Sequence, residues 1–136
     1  MVVSEQNRLV PKVLIIDDEP HIRLLLELTL TELSDHQFEV SCAENAHQAL
    51  LAINTHIPDL ILLDIYMPEM NGYELCRTLK TNPLTANIPI IFVTGENGSI
   101  KETLGFELGA VDYICKPFNP NVLLARVENQ LKLNQH

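Results

Sequence analysis

The sequence predicts an α/β domain: a doubly wound, five-stranded parallel sheet with helices on both faces. Three observations predict it. Strand-sized apolar runs bounded by turn residues alternate five times with segments of helical period. The first, third and fourth runs are continuously apolar, as strands covered on both faces must be. A length of 136 residues with 46% apolar content fits one domain with a real core.

The elements follow in order after a polar leader, residues 1–11. The first strand is Val13 to Asp17, and the helix after it carries the stripe Ile22, Leu25, Leu26, Thr29 and Leu33. The second strand, Phe38 to Ala43, alternates apolar and polar side chains, so it is placed at an edge. Ala46, Ala49, Leu50 and Ile53 mark the second helix. The third strand, Leu60 to Asp64, leads into a helix marked by Leu75, Cys76 and Leu79. The fourth strand is Ile90 to Thr94. Ser99-Ile100-Lys101-Glu102 then reads as a capping box, in which serine and glutamate side chains each satisfy an orphan backbone N–H. The fifth strand is Val111 to Cys115. Asn119-Pro120 starts the last helix, with Asn as N-cap and Pro where its missing donor does no harm. Its stripe is Leu124, Val127 and Leu131. The domain is therefore expected to span 12–133, leaving 134–136 as a tail.

Nine basic against eighteen acidic residues leave a formal charge of −9, which argues against direct binding of nucleic acid or an anionic membrane. No apolar stretch approaches the roughly 20 residues of a spanning helix, and the N-terminus lacks a signal-peptide pattern. A cytoplasmic location is expected. Cys42, Cys76 and Cys115 are widely spaced among apolar neighbours and read as buried free thiols. The five histidines show no ligand spacing.

The segment KVLIIDDEP poses the chemical question. A buried strand runs directly into Asp17, Asp18 and Glu19, three adjacent acids that repel and resist desolvation. In an open doubly wound sheet of order 2-1-3-4-5, ligands bind where the strand order reverses, at the carboxyl ends of strands one and three. Asp17 and Asp18 end strand one, and Asp64 ends strand three. Each close pair of carboxylates would repel by about 4 kcal/mol at an effective dielectric near 20, unless a cation lies among them. An all-oxygen set suits a hard ion, Mg²⁺ first, then Mn²⁺ or Ca²⁺. Strand four brings the Thr94 hydroxyl to the same rim, and strand five the Lys116 ammonium. Metal, hydroxyl and ammonium together are what an incoming phosphoryl group needs while a carboxylate attacks phosphorus.

With IIDDEP, LILLDIYMPEMNGYEL, IIFVTG and DYICKPF in place, the chain resembles the receiver domain of two-component response regulators, from Lys12 to Leu133. The resemblance implies a flavodoxin-like fold of five strand–helix units. Position by position, it makes Asp64 the phosphoacceptor and Asp18 a direct metal ligand. Asp17 would help hold the ion through water, and the Tyr66 backbone carbonyl would complete the set. Lys116 and Thr94 would bind the phosphoryl group, and Tyr113 would turn inward when Thr94 moves. Pro68 and Gly72 match the loop after the phosphoacceptor, where Gly72 serves either because a side chain would clash or because φ is positive. Lys116-Pro117 matches a junction that is commonly cis. Tyr66 is bulkier than the family often has there, and is expected to overhang the site and slow the attack of water. Mg²⁺, replaceable by Mn²⁺, is the implied cofactor.

The leading expectation is a switch rather than a turnover enzyme: a stand-alone receiver catalysing only its own phosphorylation and dephosphorylation. A sensor histidine kinase or phosphotransfer protein would phosphorylate Asp64. The altered surface of helix four, strand five and helix five would then reach a downstream protein, and a homodimer formed on phosphorylation is left open. A phosphohydrolase of the haloacid dehalogenase type also uses an aspartyl nucleophile, but it wants a second aspartate where this chain has Tyr66. A flavin carrier of the same fold needs a glycine- and hydroxyl-rich loop after strand one, where DDEPHI would repel phosphate without a metal. An inactive receiver used only for docking is the remaining alternative.

Overall fold

The computed structural model describes residues 10–95 and 99–132, with only the backbone described for 99–102. The leader expected over residues 1–11 therefore falls largely outside the described residues and the tail from 134 wholly outside them, as do the side chains of the Ser99/Glu102 capping box.

The strands are β1 (Lys12–Ile16), β2 (Glu39–Ala43), β3 (Leu60–Leu63), β4 (Ile90–Thr94) and β5 (Asp112–Cys115). They form one parallel sheet in the order β2-β1-β3-β4-β5, as the sequence predicts. The helices are α1 (Pro20–Leu28), α2 (Ala46–Thr55), α3 (Gly72–Lys80), α4 (Ser99–Glu107) and α5 (Pro120–Leu131). Alternation along each strand sends side chains to two cores. Leu14, Ile16, Ile61, Leu63, Phe92 and Tyr113 pack with α2 and α3 on one face. Val13, Ile15, Leu60, Leu62, Ile91 and Val93 pack with α1 and α5 on the other. Gly105 of α4 comes so close to Phe92 that a Cβ there would lie 3.1 Å from its ring. Strands β1, β3 and β4 have apolar side chains buried on both faces, which is why their sequences run apolar without alternation.

Helix starts follow local chemistry. Asn45 Oδ1 accepts the Gln48 N–H (2.8 Å) at α2. Asn71 and Glu74 form a reciprocal capping box at α3, with both bonds at 2.9 Å. Asn119 caps α5 with Pro120 in the first turn, as expected. Two expectations fail locally. In the first helix Leu25 and Leu33 are exposed, whereas Leu26 and Leu30 are buried. Ile22, Leu26 and Leu30 recur every four residues toward the sheet, and the helix widens into a π-helical turn at Thr29–Leu33. A run of apolar residues permits several stripes, and packing selects one. Cys42 is exposed, not buried, because β2 is an edge strand whose outer residues lack full cover; Cys76 is buried and Cys115 half-buried.

Candidate functional site

The sheet register assembles the site. The Asp17 backbone N–H donates to the Ala43 carbonyl (3.1 Å), that of Asp64 to Ile16 (2.9 Å), and that of Lys116 to Thr94 (2.8 Å). Each residue thus stands just beyond or at its strand's carboxyl end, held by the continuing ladder. Asp17 and Asp64 are buried, whereas Asp18 and Glu19 are exposed. One carboxylate oxygen from each of these four acids lies within 4.8 Å of the others. Sequence reasoning brought Asp17, Asp18 and Asp64 here but gave Glu19 no part. The signal was its place in the same acid run.

Lys116 enters from the far side. Its ammonium donates to Asp17 Oδ2 (2.8 Å) and Glu19 Oε1 (3.2 Å), and stands 3.7 Å from Asp64 Oδ2. Burial disfavours its charge, but the Asp17 hydrogen bond and charge, with Asp64 and Glu19, more than offset this and raise its pKa above the ordinary value. The Asp64 carboxyl is pushed up to about 6, first by burial and then by the neighbouring Asp17 charge, against the opposing pull of Lys116. Thr94 is fully buried, and its hydroxyl makes no well-aligned hydrogen bond among the described residues. It lies near enough for its dipole to favour the Asp64 carboxylate without forming a well-aligned bond.

The surrounding residues sort by exposure. Tyr66, two residues after Asp64, is 50% exposed. Tyr113 is buried, with its ring centroid 6.1 Å from that of Phe92, so the inward orientation is the one present. Pro68 is exposed in the β3–α3 loop, ahead of Glu69, whose φ of 71° is left-handed. The Gly72 N–H donates to the Ile65 carbonyl (2.7 Å). A Cβ on Gly72 would overlap the Asp64 carbonyl oxygen and sit 2.9 Å from Ile65 Cα, so close backbone approach is what calls for glycine. The Lys116-Pro117 bond is cis.

The donor set fits a hard divalent ion. It is all oxygen, and it gathers four carboxylates against one ammonium. The buried Thr94 hydroxyl stands at the same rim, beside the Asp64 carboxylate. Together these define a class of protein: a parallel α/β domain whose switch-point rim is built to take a phosphoryl group on a carboxylate.

Comparison with known proteins agrees. The response regulator receiver domain family matches residues 13–128, and the chain belongs to that family. It is 40% identical to the transcriptional regulatory protein AruR of Pseudomonas aeruginosa, over 94% of this chain and 52% of that protein. It is 36% identical to the DNA-binding response regulator MtrA of Mycolicibacterium smegmatis, over 91% of this chain and 52% of that protein. The chain thus spans about half the length of these curated relatives. Among solved structures, the chemotaxis protein CheY4 of Vibrio cholerae superposes with a TM-score of 0.80 at 31% identity, covering 88% of this chain and 98% of that one. Receiver domains take a phosphoryl group on aspartate, generally bind Mg²⁺ at an acidic pocket, and work with histidine kinases or phosphotransfer proteins. They are phosphoacceptors rather than classical enzymes. No helix among the described residues is long and apolar enough to cross a membrane.

Proposed function

We propose that Asp64 is the phosphoacceptor of a cytoplasmic receiver domain spanning residues 12–133, and that a sensor histidine kinase or phosphotransfer protein supplies the group. The observation that carries this is a buried Asp64 carboxylate among three further acids, 3.7 Å from the Lys116 ammonium. An Asp64 oxygen forms the new bond to phosphorus as the donor's bond breaks and the leaving group departs with the electron pair. Lys116 faces the phosphoryl oxygens as their charge develops. Asp18 and Asp64, with Asp17 through water and the Tyr66 backbone carbonyl, would hold Mg²⁺ or Mn²⁺. When bound, that ion supplies charge neutralisation.

The buried Thr94 hydroxyl would turn to a phosphoryl oxygen. Tyr113, on the adjoining strand and packed against Phe92, would then be held inward, while Pro68, Gly72 and Pro117 shape the surrounding loops. The surface of α4, β5 and α5, where Leu104, Phe106, Val111 and Val122 are exposed, would carry the change to a downstream protein. That face is also where two phosphorylated copies would pair. AruR and MtrA are named as transcriptional and DNA-binding regulators. A net charge of −9 argues that this chain does not itself hold nucleic acid. Tyr66, half exposed two residues after Asp64, would impede the water that hydrolyses the acyl phosphate in the chain's own slow dephosphorylation.

The test is incubation with acetyl phosphate, with and without Mg²⁺, read by intact mass. The wild type should gain one phosphoryl mass only with the metal, and Asp64→Ala should gain none. Equal labelling of Asp64→Ala would discard the assignment. Replacing Tyr66 with Asn should shorten the phosphorylated lifetime, and an unchanged rate would remove Tyr66 from the mechanism.

A further inference from the structure

Glu19 closes the acid run at the start of α1, and its backbone N–H donates to Asp17 Oδ1 (2.9 Å). It stands at the N-cap of α1 yet makes no side-chain cap bond. A well-placed N-cap acceptor ordinarily stabilises a helix start, and this side chain forgoes that bond. Its oxygens instead face Lys116 and His21: Oε1 accepts from Lys116 Nζ at 3.2 Å, and Oε2 lies 3.8 Å from His21 Nε2. The Lys116 ammonium is therefore shared among Asp17 at 2.8 Å, Glu19 at 3.2 Å and Asp64 at 3.7 Å. The acid to be modified has the weakest hold on it.

We propose that Glu19 is a positioning residue that parks the Lys116 ammonium away from Asp64, so that phosphoryl transfer requires the lysine to loosen from Glu19. This rests on the phosphoacceptor reading of Asp64. As the Asp64 oxygen bonds to phosphorus and the donor's bond breaks, charge spreads over the phosphoryl oxygens, and Lys116 must turn toward them. An interaction made before transfer and weakened during it raises the barrier. Because the Glu19 side chain is 47% exposed, solvent screens the pair, and the effect is a modest one.

Two variants and three independent readouts test this. Glu19→Gln keeps the shape and removes the charge, whereas Glu19→Asp keeps the charge on a side chain one methylene too short to hold Lys116. With acetyl phosphate and Mg²⁺, both should be modified about fivefold faster than wild type, the size set by a half-exposed ion pair. Mg²⁺ affinity, read from the metal's effect on thermal unfolding, should stay within about threefold, since a lost ligand would cost about tenfold or more. A crystal structure of metal-free Glu19→Gln should show Lys116 Nζ within hydrogen-bond distance of Asp64.

Faster modification of Glu19→Gln alone would mean that Glu19 merely repels an anionic donor, and would overturn the proposal. No acceleration, a tenfold loss of Mg²⁺ affinity, or an unmoved Lys116 would overturn it as well. Should the wild type refuse modification, the functional reading fails, while the crystal structure still decides whether Glu19 holds the lysine.

Discussion

Two aspartates bracket the same strand, Asp59 just before β3 and Asp64 just after it, and their surroundings are opposite. At the amino rim, Asp59 Oδ2 accepts the Lys12 backbone N–H and the Asp59 N–H donates to the Lys12 carbonyl, both at 2.7 Å. That acid is exposed and pinned to the neighbouring strand. At the carboxyl rim, Asp64 is buried among other acids, beyond hydrogen-bond distance of its lysine, and holds a pKa near 6. Residue type is the same at both ends. An exposed carboxylate bonded to a backbone N–H stabilises the fold, whereas one buried and crowded by other acids is poised for chemistry.

The largest break in this contrast should come from Asp64→Asn without metal. Folded Asp64 keeps its proton up to about pH 6, against an ordinary value of 3.8. Between those values the folded state binds more protons than the unfolded state, so stability falls as pH rises, and above about pH 7 the loss is complete and constant. Asp64→Asn should therefore be more stable than wild type near pH 8, by at most about 3 kcal/mol in urea unfolding, and should lack that slope. Mg²⁺ should stabilise the wild type and narrow the gap. Next, Lys116→Ala should slow Asp64 modification by acetyl phosphate about a hundredfold by removing charge stabilisation, about 2.7 kcal/mol, as intact-mass time courses would show.

Behind the site, Gly72→Ala should cost about 2 kcal/mol, because the added methyl meets backbone that cannot retreat. Gly95→Ala, whose Cβ would meet no described atom, should stay within about 0.5 kcal/mol in the same denaturant titration. A smaller effect than at Gly72 is expected at the other rim. Asp59→Ala should lose about 1 kcal/mol of stability with one exposed hydrogen bond, and should leave the rate of Asp64 modification unchanged. A changed rate would mean that the two rims are coupled through β3.

The strands were legible because burial on both faces leaves an unbroken apolar run, and the last helix because Asn119-Pro120 is a local start signal. The Asn71/Glu74 capping box was written just as plainly, in NGYE, and went unread. Other features could not be read locally. Leu24, Leu25, Leu26 and Leu28 admit more than one helical stripe, and only contact with β1, β3 and α5 selects Leu26. Cys42 looks apolar in sequence but lies on an edge strand, where exposure depends on what the neighbouring helix fails to cover.

By itself the sequence determined the order of strands and helices and which acids end which strands, since these depend on periodicity and on neighbours along the chain. The division of the Lys116 ammonium among Asp17, Glu19 and Asp64, the burial of the Thr94 hydroxyl beside Asp64 and the need for glycine at position 72 were decided only by tertiary structure. Each depends on distances of a few ångströms between groups far apart in the chain, and hydrogen bonds and backbone clashes change over tenths of an ångström, a scale that spacing along the polymer does not encode.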